Sequence, residues 1–274
     1  MSVNPELRSL DISIPAQPQS LMKLSLLLAD EDVNLDAVGE LIERDMALAA
    51  AVLKAVNSSL YGLKGRVQTV QQAITYLGTR EIVGIAYEMG LRAAFGPAVE
   101  LDALWQRAAL RGVIMGRLAQ RLSLDAWVAH SAGLFEECGK AVLFRHAVDH
   151  YRAMLRAAKN DVELVGLERV GFGASHDAMG AALCETWGLA QSACASVRHH
   201  VGVQATQTLP PELSRRAICA VSAITNAIMH TPDMLDDACL ALAPQADLDE
   251  GLLLRAARRV AETVASAQSH SRAA

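Results

Sequence analysis

The sequence predicts an all-α protein folded as two helical lobes. Hydrophobic residues make up 52% of the 274 positions while aromatics supply only 4%. Apolar residues recur at spacings of three and four almost everywhere, and the strict alternation of a half-buried strand is scarce. Capping residues and glycines punctuate the chain at helix-length intervals.

The elements follow in order. Ile14–Pro18 is extended, because each proline biases its predecessor away from helix. Pro18 suits the first turn of a helix reaching about Leu28, and Asn34 is an N-cap for the LDAVGELIER segment. Asp45 caps a helix from Met46 to about Val56 that carries Leu48, Val52, Leu53 and Val56 on one face. Residues 57–65, NSSLYGLKG, form a polar turn. Thr69 and Gln72 have capping-box spacing ahead of Ala73, Ile74 and Leu77, and Gly78 supplies the stop. Thr79 caps a helix to about Phe95, and Gly96-Pro97 marks the boundary between lobes 1–96 and 97–274.

The second lobe opens with a long amphipathic helix, about Val99 to Leu122. Ser123 starts the next, which reaches about Cys138, and Gly139 separates it from a helix over Lys140–Ala158. VGFGAS (170–175) is a turn, and Ser175 caps His176–Trp187, which Gly188 ends. Further helices are expected at Gln191–His200, Pro211–Met229 and Asp247–Ala267, with the SHSRAA tail frayed. No internal repeat or low-complexity segment is present.

Composition narrows the function classes. Twenty-five basic against 30 acidic residues give a net charge of −5, which offers no electrostatic reason to expect nucleic acid or an anionic membrane as partner. Five cysteines without a CxxC pair do not make a disulfide framework, and they fit a reduced compartment. The N-terminus lacks both the basic start and the apolar core of a signal peptide, and no apolar run approaches the ~20 residues that span a bilayer. A cytoplasmic location is expected.

The stretch Gly133–Lys140, GLFEECGK, is where chemistry concentrates. Glu136 and Glu137 interrupt an apolar run from Ala126 to Phe144, and charges in such a place are costly unless they meet a metal or a counter-charge.

Two sets of residues carry a resemblance. In the first lobe Asp45, Leu48, Leu53, Asn57, Ser58, Tyr61 and Gly62 are followed by Ala73-Ile74 and Leu77-Gly78. In the second come Trp105, GLFEECGK, His176, Gly180, Trp187, Gly188-Leu189 and His199-His200. In this order the chain resembles the HDOD module (HD-related output domain) of bacterial signalling proteins over about residues 12–230. The resemblance implies an N-terminal bundle of HDOD type packed on a degenerate HD-like bundle.

The parent HD phosphohydrolases hold metal through an early His, an adjacent His-Asp pair, later histidines and a distal Asp. Those ligands acidify a water that attacks phosphorus. Carried over, the His-Asp pair is Glu136-Glu137, the early His is Arg107 and the distal Asp is Asn226, while His176, His199 and His200 remain. An arginine has no lone pair for a metal and keeps its proton at neutral pH. Arg107 is therefore expected to pair with Glu136 or Glu137 in the electrostatic role of the lost metal, leaving seven vestigial positions, no metal and no cofactor.

Other candidates have plainer readings beside the functional one. The glutamates could be ligands or a general acid/base pair, or ion-pair partners of Arg107 or Lys140. His176, at a helix start, favours a neutral ring or a bound anion, or simply packs. His199-His200, at a helix end, suits protonation as well as ligation. His146 and His150 have the i,i+4 spacing of a zinc helix, but Arg145 and Arg152 flank them and no third ligand is evident. The cysteines read as small buried hydrophobes, and Ser58 and Ser59 have no partner for nucleophilic chemistry. Asn57 and Ser58 tie down their turn by backbone hydrogen bonds. Arg107, Arg111, Arg117 and Arg121 are too spread along one helix for nucleic acid.

The expectation is a non-catalytic signalling or regulatory module. Its partners would be other signalling proteins in trans, with no nucleic acid and no membrane. The chain has no length to spare for an attached receiver domain. A ligand or partner, a small molecule or nucleotide included, is expected in a groove near Asn57, Tyr61, Trp105, Arg107, Lys140 and His176. The rivals are a divergent phosphohydrolase of nucleotides or cyclic dinucleotides, and a nucleotide sensor without hydrolysis.

Overall fold

A computed structural model describes residues 12–28, 35–57 and 67–272, and among them there are fifteen α-helices, two short 3-10 turns and no strand. Contacts divide the chain into two units. The first is residues 16–98 with the chain from Thr263 onward, and the second is Val99–Glu262 together with the residues up to Pro15.

The first unit contains α1 (Gln19–Leu28), α2 (Leu35–Glu43), α3 (Met46–Val56), α4 (Val70–Leu77) and α5 (Thr79–Phe95). The local signals act as expected at several ends. The Asp45 carboxylate accepts from the Leu48 amide at the start of α3, and the Thr69 hydroxyl accepts from Gln72 at the start of α4. Gly78 adopts φ +84°, a conformation that L side chains rarely adopt, and there the chain turns directly from α4 into α5. Thr79 is consequently the first residue of α5 and not its cap. The core is aliphatic: Leu21, Val38, Ile42, Val52, Ile82 and Leu91 are fully buried. The expected cap Asn34 and the residues Ser58, Ser59, Tyr61 and Gly62 lie outside the described residues.

The second unit runs through α6 (Asp102–Arg121), α7 (Ala126–Glu136), α8 (Cys138–His146), α9 (Val148–Ala157), α10 (Asp161–Phe172), α11 (His176–Thr186), α12 (Gln191–Thr206), α13 (Leu213–His230) and α14 (Leu235–Ala246). The last helix, α15 (Glu250–Arg272), begins in this unit. Pro15 belongs here because its carbonyl accepts from the Trp187 indole at 2.9 Å. All five cysteines are free and buried.

Several expected elements are corrected. The long opening helix begins as a 3-10 turn at Val99–Leu101. Ser123 does not start α7. It sits at φ +57°, and Asp125 is the cap, accepting from the Trp127 and Val128 amides. The break after α7 falls at Glu137, two residues before Gly139, and Ala147 divides the expected helix 140–158 in two. Asp161–Phe172, where no element is assigned from the sequence and whose last residues are read as part of the VGFGAS turn, is the three-turn helix α10, closed by Gly173 in the left-handed region. The α12 helix continues past His200 to Thr206, so His199-His200 is not a helix end. The α14 helix was not anticipated, because Pro244 lies in its last turn. The α15 helix is described as far as Arg272, inside the segment expected to fray.

Candidate functional site: a buried charge network

The site is built where α6 and α7 touch. Both helices present glycine at the crossing: a methyl group on Gly133 would come within 2.8 Å of the Gly112 Cα. That close approach sets Arg111, beside Gly112, opposite Glu136 at the end of α7. The adjacent glutamates then part company, because Glu136 ends α7 and Glu137 is the junction residue before α8.

Glu136 meets Arg111 at 2.9 Å, and the side chains are 1% and 4% exposed. The second Arg111 amino group reaches the Asn226 carbonyl oxygen on α13 at 3.3 Å, and the Ser196 hydroxyl on α12 donates to the other Glu136 oxygen at 3.3 Å. Glu137 turns to Arg107 and Lys140, both at 3.3 Å, and Lys140 in turn donates to Asp161 on α10 at 2.8 Å. Burial alone would raise the Glu137 carboxyl, but Lys140, Arg111 and Arg107 outweigh it and hold the group far below the ordinary carboxylate range. Burial likewise opposes the Lys140 charge, and Glu137 and Asp161 together raise it above its usual value.

This corrects the expected pairing. The buried guanidinium is Arg111, one turn on from Arg107 along α6, and Arg107 is 44% exposed on Glu137 alone among the carboxylates described. Arg111 was read only as one of four arginines spread along a helix.

A second cluster lies alongside. Glu168 on α10 and His176 at the start of α11 are both fully buried. The Glu168 carboxylate accepts from the His176 amide at 2.7 Å, contacts the ring Nδ1 at 2.8 Å and accepts from the Tyr151 hydroxyl at 2.5 Å. The anion that a helix N-terminus favours is thus supplied by the chain itself. Ser175 does not cap α11 with its side chain, and its hydroxyl donates to Asp177 instead. His200 on α12 places its Nδ1 2.7 Å from the Val197 carbonyl, and its ring lies 5.4 Å from that of His176. Burial lowers the His200 pKa, which removes the reading of that ring as a protonated helix end.

Arg107, Glu137, Lys140, Lys159, Asp161 and Asn226 line a cavity of about 530 Å³ in this unit. Of the expected groove residues, Arg107 and Lys140 line it. Trp105 and His176 are buried and do not. Asn57 is in the first unit, where its amide spans Leu53 and Val67 as a turn brace. His199 lines a different cleft with Arg169 and Arg198. His146 and His150 fall on separate helices across the Ala147 break and both lie edge-on to Phe172, so the zinc-helix geometry is absent. Sequence reasoning missed the roles of Arg111, Asp161, Glu168, Tyr151 and Ser196.

Four of the seven positions carried over from the HD pattern, Arg107, Glu136, Glu137 and Asn226, are engaged by one another or by Arg111 and do not suit a metal. At Glu136 the oxygens are engaged by Arg111 and Ser196. Asn226 faces the same guanidinium, and Arg107 and Lys140 hold Glu137. A divalent ion there would face three fixed cations in a poorly solvated place, where like charges repel strongly.

Comparison with known proteins agrees with this architecture. An HDOD domain protein of unknown function from Geobacter sulfurreducens superposes with a TM-score of 0.73 at 20% identity, covering 96% of this chain and 93% of that one. A candidate signal transduction protein from Marinobacter aquaeolei VT8 gives 0.72 at 21%, covering 96% and 63%. A candidate phosphohydrolase from Shewanella amazonensis SB2B gives 0.69 at 19%, covering 94% of each. In sequence, an uncharacterised protein of Treponema pallidum (strain Nichols) is 28% identical over 192 residues, 68% of this chain and 37% of the relative. The protein YuxH of Bacillus subtilis (strain 168), also uncharacterised, is 44% identical over 55 residues, 20% of this chain and 13% of its own length. The chain thus spans little more than a third of the longer match. No helix among the described residues is long and apolar enough to cross a membrane. The HDOD domain matches residues 14–203, well over half of the chain, and this chain belongs to the HDOD family.

Proposed function

We propose that this chain is a non-catalytic regulatory module that works by contacting other signalling proteins in trans. The observation that carries the reading is the Arg111 guanidinium, buried on Glu136 and Asn226 where the related hydrolases present metal ligands. A group that never offers a lone pair, fixed between the two positions, takes the place of the ion and removes the activated water. The network then serves as the rigid floor of a surface that recognises a partner. The chemistry of HD phosphohydrolases would require moving at least two buried ion pairs, each of which resists being broken.

A hydrolysis screen tests the reading. Purified chain is incubated with Mn²⁺, Mg²⁺, Fe²⁺ or Zn²⁺ against a chromogenic phosphate ester, nucleotides and cyclic dinucleotides, and turnover at background level is expected. Steady metal-dependent turnover that His176→Ala abolishes would overturn it in favour of a phosphohydrolase. A second reading, a sensor that binds a nucleotide without cleaving it, has the 530 Å³ cavity with Arg107, Lys140 and Lys159 in its favour. Ligand binding to the native state alone raises the melting temperature, so a thermal-shift screen over nucleotides separates the sensor from a module that contacts proteins only.

A further inference from the structure

We infer that the cleft lined by Arg169 and Arg198 is a docking site for a partner protein, taking a short peptide segment in which an acidic residue stands beside aliphatic ones. This rests on the reading of the chain as a module that contacts proteins, and it names the chemistry of what is contacted. The cleft encloses about 710 Å³ between α10, α12 and the segment joining α12 to α13, a volume in the usual range for ligand sites. Of the histidines of the HD pattern only His199 lines it, and the proposed contacts use none of them.

The walls are aliphatic and fixed in advance. Val162 and Val165 come from α10, Val203 from α12, and Leu209, Pro210 and Pro211 from the connecting segment. Among the described residues no aromatic ring lines the cleft, so nothing there stacks on a nucleobase. The connecting segment is held from behind. Gln207 closes α12 in the left-handed region, at φ +52°. The Gln245 side chain on α14 donates to the Gln207 carbonyl and accepts from the Leu209 amide. The Arg216 guanidinium on α13 donates to the Pro210 and Pro211 carbonyls. A wall ordered before anything binds spares the cost of ordering it on binding.

Charge selects the occupant. Arg169 from α10 and Arg198 from α12 both line the cleft, and neither meets a carboxylate among the described residues. Guanidinium groups take carboxylates through two parallel hydrogen bonds. Asp177, only 8% exposed, lines the same cleft. One of its oxygens accepts from the Ser175 hydroxyl and the Ala178 amide, and the other has no donor among the described residues. A peptide answers both demands, with backbone N–H groups for the open Asp177 oxygen and an acidic side chain for the arginines. A polyphosphate brings several negative charges and no donor, and the buried carboxylate repels it.

The test selects displayed random heptapeptides on the immobilised full chain, and the enriched peptides are labelled and titrated by fluorescence polarisation. Enriched peptides should carry Asp or Glu beside Val, Leu or Ile, and their affinity should fall as salt rises. Arg169→Gln and Arg198→Gln should each weaken binding about three- to tenfold. Gly202 lines the cleft from an exposed face of α12, and a methyl there meets nothing within 4 Å. Gly202→Phe therefore fills the cleft without disturbing the core, and it should abolish binding at an undiminished melting temperature. The double variant Arg121→Gln/Arg156→Gln removes charge from exposed positions outside the cleft and should leave binding unchanged. Failure to enrich acidic peptides would overturn the site, as would equal affinity in the parent and in Arg169→Gln/Arg198→Gln or Gly202→Phe. An equal loss in Arg121→Gln/Arg156→Gln would overturn it as general electrostatics. Loss through Arg107→Ala with the cleft variants intact would overturn it in favour of the neighbouring cavity. The two readings fail separately. Metal-dependent hydrolysis of phosphate esters would overturn the regulatory reading and leave cleft-dependent peptide binding in place, whereas a chain that neither hydrolyses them nor enriches acidic peptides would overturn the cleft alone.

Discussion

Two buried or largely buried acids, one in each unit, titrate in opposite directions. Burial pushes Glu88 on α5 up to about 7, against the weaker pull of Arg92 one turn away. Glu137 is buried more deeply, yet three cations hold it far below the usual range. Depth alone does not decide protonation. Fixed counter-charges do, and the backbone must bring them in from several helices. Among the described residues the first unit is an aliphatic core with a poorly compensated acid, Glu88. The second surrounds its carboxylates with α6, α8, α10, α12 and α13 side chains.

The sharpest way to break the comparison is Arg111→Met. It leaves Glu136 buried with only Ser196 as partner, a situation that costs about 3–5 kcal/mol when half a buried pair is removed. A fall of that size in denaturant-derived stability is the expected outcome, and Glu136→Gln added to Arg111→Met should restore a large part of it. A loss below about 1 kcal/mol would show that the pair is hydrated and that the two units do not differ in the way described.

Next in size is the approach that puts the network together. A methyl on Gly139 would run into the His176 carbonyl, backbone that cannot give way like a side chain, so Gly139→Ala should cost about 3 kcal/mol and disturb the Glu168–His176 contacts with it. Gly166 on α10 and Gly202 on α12 have nothing near a new methyl, and alanine at either should stabilise by about 0.5–1 kcal/mol. Thermal unfolding of the three variants side by side checks both signs.

These glycines also show what was legible in the sequence. Asp45, Thr69, Gly78 and Gly188 worked through contacts within one turn, so the helices they bound were readable, as were the all-α class and the buried glutamates. The α10 helix was not, because its inner face is only Leu164, Val165 and Glu168 while Val162, Leu167 and Val170 face outward. Apolar residues on every side erase the 3.6-residue period. The signal that remained was the pair Asn160 and Glu163, with Asn160 accepting from the Glu163 amide, Glu163 accepting from Lys159, and Gly173 at the far end. Losing α10 lost Asp161 and Glu168, and with them the partner of His176. Arg111 was missed for another reason: Arg107 and Arg111 share a face of α6, and only the depth of the α7 crossing decides which is buried.

Titration sharpens the comparison with smaller effects. Glu88 has a folded pKa raised to about 7 from 4.5, so its contribution is fully present below 4.5 and is lost as pH rises through 7. Glu137 has a folded pKa below its unfolded value, so its contribution is present above 4.5 and is lost as pH falls below that. Glu88→Gln should remove about 1 kcal/mol of the decline between pH 5 and pH 8, the full shift being discounted for a partly exposed group. Glu137→Gln should flatten the acid side instead. Amide exchange followed separately in α5 and α8, with chelator present, assigns each arm to its unit.

The smallest effect is expected at Arg107, the residue expected to stand in for the metal. Arg107 is 44% exposed and its one carboxylate, Glu137, keeps Lys140 when the guanidinium is removed. An exposed cation sharing a partner already paired is worth about 0.2–1 kcal/mol, and salt should screen most of it. Arg107→Ala should therefore leave stability nearly unchanged while Lys140→Ala, which strips both Glu137 and Asp161, costs several times more. Because Arg107 lines the cavity with a free share of its surface, its removal should be felt in recognition instead: weaker binding of whatever partner or ligand the cavity takes, at unchanged melting temperature. If Arg107→Ala unfolds the protein as readily as Arg111→Met, the division of labour along α6 is wrong, and the two arginines form one structural unit with no cation set aside for a partner.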